Sequence, residues 1–127
     1  MEIKITISVG ELLDKISILK IKSSKLSCSE KLEYVNHELS KLIDCAKTHE
    51  VFDESLLNEL GDVNLKLWNI EDEIRILEKS KDFSNNFIEL ARKVYITNDK
   101  RFTIKSKADA KYKSIIREQK DYINYDG

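Results

Sequence analysis

Trp68, Glu71 and Arg75 follow one another at spacings of three and four, which puts them on one stripe of a helix. An indole face stacks on a base or a sugar ring, and an arginine fork holds phosphate. Farther along, Asn98 and Arg101 interrupt an otherwise apolar helical face. Two helices lying side by side would let these residues meet in one cleft, with Lys15 and Lys105 adding positive charge. The ligand expected there is an anionic small molecule such as a nucleotide or nucleotide-sugar. Trp68 would stack on it, Arg75, Arg101 and Lys105 would hold phosphate, and Glu71 and Asn98 would orient it. The same residues also allow a purely structural use, an internal Glu71–Arg101 salt bridge that fixes helix register.

A second constellation is acidic. Glu30 and Glu33 form an E-x-x-E pair, and Glu59 and Asp62 form an E-x-x-D pair. All-helical, magnesium-dependent nucleotide pyrophosphohydrolases arrange four carboxylates in this way. In so acidic a chain such pairs also arise by chance, and Glu30 has another role as capping partner of Ser27. A third constellation, Cys45 and His49, could reach one ion from one helix face. A structural zinc needs four ligands, and only Cys28 and His37 remain as soft partners, so no metal is expected. The cysteines form no C-x-x-C pair, and free thiols follow. Strained-turn nucleophiles and glycine-rich phosphate loops are absent. No cofactor is expected, and binding is favoured over catalysis.

Charge is unevenly spread. Arg92 to Lys120 contains ten Lys/Arg and three acids, a balance of +7, which leaves −8 for the rest of a chain whose net charge is −1. Tyr95, Phe102 and Tyr112 interleave with those cations, as in nucleic-acid-binding segments. A pI near 6.2 and the lack of any recognised motif argue against nucleic acid. Docking on an acidic surface, including that of a second copy, explains the segment better.

The elements that must carry these residues are mostly helical. The chain has 127 residues, no proline, three glycines and 35% charged residues, the composition of long solvent-bathed helices in one domain. No run approaches the roughly 20 apolar residues that cross a bilayer, and no signal peptide opens the chain. The expected location is the cytoplasm, of a bacterial cell or an infected host. Residues 2–7 alternate in the period-two pattern of a half-buried strand. Its partner would be Tyr122–Tyr125 or the same strand of a second subunit.

Ser8 and Glu11 form a capping box that opens a first helix with Leu12, Ile16, Leu19 and Leu26 on its stripe. Ser27 and Glu30 repeat the signature before a second stripe of Leu32, Val35, Leu39, Leu42 and Ala46. Asp53 caps a third helix whose Leu56, Leu60, Val63, Leu67, Ile70, Ile74 and Leu77 make a heptad seam. Gly61, just off that seam, suggests close approach of a neighbouring helix. Ser84 or Asn85 caps a fourth helix carrying Phe87, Leu90, Ala91, Val94 and Tyr95. The predicted fold is therefore all-α, a helical bundle with coiled-coil-like long helices and a short N-terminal β-strand. Residues 1–8 are the strand and 9–107 the bundle. Residues 108–127 form a basic, weakly structured segment anchored by Ile115 and Ile116. The unpaired strand, the long seam and the divided charge together predict a homo-oligomer, pairing Ile3, Ile5 and Ile7 or two third helices across subunits.

Three blocks resemble an uncharacterised family of small helical proteins from bacteria and their phages: SVGELLDKISIL at 8–19, KLWNIEDEIR at 66–75 and FIELARKVYITNDKR at 87–101. The resemblance runs from the first predicted strand to about Lys107. It implies no assigned reaction. Similar members occur beside surface-polysaccharide and sugar-transfer genes and in marine phages, which implies a link to nucleotide-sugars or a phage protein that sequesters a host nucleotide. It also implies an alternative, a helical protein–protein interaction scaffold attached to sugar-transfer machinery.

Overall fold

The computed structural model describes residues 1–126. Two of its helices, the first and the third, begin where a side chain takes up a backbone N–H group that the first helical turn leaves free. For α1 (Val9–Lys25), Ser8 Oγ accepts from Glu11 N at 3.1 Å, as its capping box predicts. The two remaining donors are met from the far end of the chain. Gly10 N donates to Asp109 Oδ1 at 2.7 Å and Val9 N to Ser114 Oγ at 3.0 Å. A carboxylate at this position also complements the positive end of the helix dipole.

α2 (Ser29–Thr48) starts one residue later than its expected cap. Cys28, not Ser27, occupies the N-cap, with no side-chain cap bond. α3 (Glu54–Lys79) is capped by Asp53, which accepts from Leu56 N at 3.1 Å. The same carboxylate accepts from Lys111 Nζ at 2.5 Å and Tyr112 OH at 2.7 Å. Those two donors, lysine first, hold Asp53 at a pKa of about 2. α4 (Asn85–Lys111) follows Ser84 and runs four residues past the expected end of the bundle.

α3 and α4 form an antiparallel hairpin, tied by Asp53–Lys111 and by Glu59–Lys107 at 3.0 Å. α1 lies against both, antiparallel to α4, and it is the only helix that α2 approaches. The core gathers where α1, the end of α2, the start of α3 and the end of α4 meet. Leu13, Ile16 and Leu60 are fully buried there, each contributing about 1.5–3 kcal/mol relative to exposure. The α3 seam is thus occupied inside the chain. Its first half is buried, while Ile74 and Leu77 remain half-buried.

Three expectations are corrected. No strand occurs among the described residues. Residues 1–8 precede α1 without regular structure, because no sheet edge exists to receive their backbone groups. Ile3 and Ile5 stand 76% and 74% exposed, and only Ile7 packs against the core. Gly61 meets nothing within 4 Å of a built Cβ, so no helix approaches it. Close approach falls instead at Gly10, whose Cβ would lie 2.4 Å from the Lys105 carbonyl oxygen of α4. Finally, Ile115 and Ile116 are exposed and anchor nothing. The irregular tail returns along α4 by other contacts. Glu118 pairs with Lys105 at 2.8 Å, Lys120 lies over the Phe102 ring, and Tyr125 packs edge-on to Tyr95 at 5.2 Å.

Candidate functional site

The α1–α4 contact is polar where an apolar seam would be expected. Gly10, Asp14 and Ser17 recur at i, i+4 and i+7 on α1, and Arg101, Lys105 and Asp109 recur at intervals of four on α4. Antiparallel packing sets these stripes face to face. Asp14 is fully buried. Arg101 grips it with two bonds, Nε to Oδ1 at 2.9 Å and Nη2 to Oδ2 at 2.5 Å. From α3, Asn64 Nδ2 donates to Asp14 Oδ1 at 2.9 Å and to Ser17 Oγ at 2.8 Å, while Ser17 Oγ donates to the Asp14 carbonyl at 2.8 Å. No buried side-chain polar atom among the described residues lacks a partner. A network satisfied in this way fixes the register of three helices at once.

This arrangement corrects the expected Glu71–Arg101 bridge. Arg101 is claimed by Asp14, and Glu71 pairs instead with Arg75, one turn along its own helix, at 3.9 Å. Asp14 and Asn64 were not expected here. The signal for Asp14 was the polar stripe it shares with Gly10 and Ser17, set within the apolar run of α1.

Directly beside the network, α1, α3 and α4 bound an open cleft of about 430 Å³. Trp68, Glu71, Arg75, Asn98 and Arg101, the five residues expected to meet, all line it. Ile18, Ile21 and Leu67 supply apolar wall, and Lys22 and Asp72 add a cation and a carboxylate not expected from the sequence. Asn64, which bonds Asp14, also borders the cleft.

Two expected residues lie elsewhere. Lys15 is exposed on α1 and does not line the cleft. Lys105 is buried between Glu11 and Glu118, each at 2.8 Å. Burial alone would lower the lysine's pKa, but the hydrogen bonds it donates to the two carboxylates outweigh it and hold it above the ordinary value. Lys105 is therefore a tie between α1, α4 and the tail, not a phosphate ligand.

The acidic constellation does not assemble. Glu30 and Glu33 line a shallow depression on α2 with Tyr34 and His37. Glu59 and Asp62 lie on α3, which α2 does not approach, and Glu59 is engaged by Lys107. Cys45 Sγ and His49 Nδ1 stand 3.8 Å apart. Among the described residues no group of three or more His, Cys, Asp or Glu side chains is placed to hold a metal ion. Among the described residues no helix is long and apolar enough to cross a membrane.

One family model matches the chain over residues 3–125, that of a family of unknown function, DUF6165. No curated protein matches, and no solved structure does.

Proposed function

We propose that this chain, which belongs to the family of unknown function DUF6165, is a non-enzymatic binding protein that captures a small anionic molecule in the Trp68 cleft. The ligand class that fits is a nucleotide or nucleotide-sugar. The observation that carries this reading is the convergence of an indole, three cations and the hydrogen-bonding side chains of Glu71, Asp72 and Asn98 on one space of about 430 Å³, within the usual range of small-molecule pockets.

Trp68 offers a ring face for stacking. Arg75 is the available phosphate ligand, because its side chain is 79% exposed and only Glu71, at 3.9 Å, competes for it. Lys22 is the second. Arg101 spends Nε and Nη2 on Asp14, which leaves Nη1 to donate. Glu71, Asp72 and Asn98 can accept from hydroxyl groups.

Charge narrows the class. The lining holds Lys22, Arg75 and Arg101 against Glu71 and Asp72, and Asp14 behind Arg101 cancels the surplus. A ligand with few negative charges and several hydroxyls suits that balance better than a triphosphate. The free thiols of Cys28 and Cys45 suit a reducing compartment such as the cytoplasm.

Trp68 is the only tryptophan, so its fluorescence reports directly on the cleft. Titration with UMP, UDP-glucose and UTP should give saturable quenching, strongest for the less charged members. Arg75→Glu should weaken binding about tenfold or more, a loss of about 1.4 kcal/mol or greater, with an unchanged melting temperature. Lys105→Met should leave affinity unaltered even where it lowers stability. Unchanged fluorescence and an unshifted melting temperature across the whole panel would sink the reading.

A further inference from the structure

The two sides of the α3–α4 hairpin differ. One carries α1 and the cleft. At roughly 100° per residue, Glu73, Ile76 and Leu77 lie about half a turn around α3 from Asn64, Trp68 and Glu71. They therefore face away from α1. There they border a second groove of about 380 Å³ between the helices, completed from α4 by Glu89, Leu90 and Lys93. Among the described residues none of the tail lines this groove; its Tyr125 packs on Tyr95.

The groove is apolar at its base. Leu77 is half-buried, and Ile76 at its edge is 66% exposed. Two helices alone cannot keep water from their shared seam, and Ile74, Phe87 and Val94 are likewise only half-buried in this distal half. Its rim carries two acids, Glu73 and Glu89, and one base, Lys93, and neither Glu73 nor Lys93 belongs to an ion pair among the described residues. The neighbouring Glu89 is already paired with Arg92 at 3.0 Å. A rim with one unspent charge of each sign is self-complementary, because a two-fold axis turns each Glu73 toward the other copy's Lys93.

We infer that a second copy of this chain covers the groove. The two hairpins would pack back to back around a two-fold axis into a four-helix arrangement. Ile76 of each copy would seat over Leu77 and Leu90 of the other, with Glu73 opposite Lys93 on both sides. Both Trp68 clefts then face outward and stay open to ligand, so this inference stands or falls apart from the binding reading.

Sedimentation velocity of the full chain over a range of concentrations should give a reversible dimer. Ile76→Glu should raise the dimer dissociation constant about tenfold or more. Because Ile76 is exposed in the single chain, helical content by circular dichroism should not change. Glu73→Lys should weaken the dimer similarly, and the double variant Glu73→Lys with Lys93→Glu should restore it. A monomer at every concentration, a dimer indifferent to Ile76→Glu, or a double variant that stays monomeric would each overturn the inference.

Discussion

Asp14 is the residue on which the interior depends most. A carboxylate with no exposed surface survives because a guanidinium and an amide donate to its oxygens. Removing the guanidinium strands that charge, and breaking a buried pair in this way costs about 3–5 kcal/mol. Arg101→Ala should therefore lower unfolding free energy by roughly 3 kcal/mol, measured by urea denaturation at neutral pH. Asp14→Asn with Arg101→Met should recover much of that loss, because no unpaired charge remains. A loss below about 1 kcal/mol, the range of an exposed pair, would show that Arg101 serves the cleft and not the core. At this scale the sequence was half legible. Trp68, Glu71, Arg75, Asn98 and Arg101 could be grouped from helical spacing alone. Arg101's true partner could not, since Asp14 lies 87 positions away and only the packed register of α1 on α4 brings them together.

Among the elements, the clearest test contrasts two glycines inside helices. Gly10→Ala would press a methyl group onto the Lys105 carbonyl and the Asp109 carboxylate, at 2.4 and 2.9 Å. The first neighbour is backbone, so α1 and α4 must part. Gly61→Ala meets open space and should gain up to about 1 kcal/mol from helix propensity. Thermal melts should move in opposite directions, Gly10→Ala down and Gly61→Ala up. Equal shifts would mean that the α1–α4 contact is not close. Helix starts at Ser8 and Asp53 and the apolar seams were readable, because caps and periodicity are local. The N-terminal strand was misread for the complementary reason. Alternation in residues 2–7 is a local pattern, but a strand also needs a neighbour, and the described residues form no sheet. Gly61 was misjudged because a glycine in sequence does not say which face of its helix is crowded.

The whole molecule resolves part of the divided charge of the sequence within itself. Arg101, Lys105, Lys107 and Lys111 of α4 are spent on Asp14, Glu11, Glu59 and Asp53 of the elements beside it. The basic segment is thus a docking surface for the chain's own acidic half. A dependence on acid follows. Asp53, held at about 2 by Lys111 and Tyr112, and Glu118, held below its ordinary value by Lys105, both titrate lower when folded than unfolded. Their stabilisation is fully present above the unfolded carboxylate range and is lost as pH falls through the folded values. The urea midpoint should decline as pH drops from the ordinary aspartate value of 3.8 toward 2, and Asp53→Asn should flatten that decline; an unchanged slope would mean the Lys111 tie is not made in solution. One feature of the architecture shapes how this molecule comes apart. α2 leans on α1 alone, whereas α1 is bolted to α3 and α4 through the Asp14 knot. Opening α2 would leave the knot and the three helices that wall the Trp68 cleft in place but would uncover the core that Ala46 helps to fill, so the amides of the second helix should exchange before those of the three-helix frame.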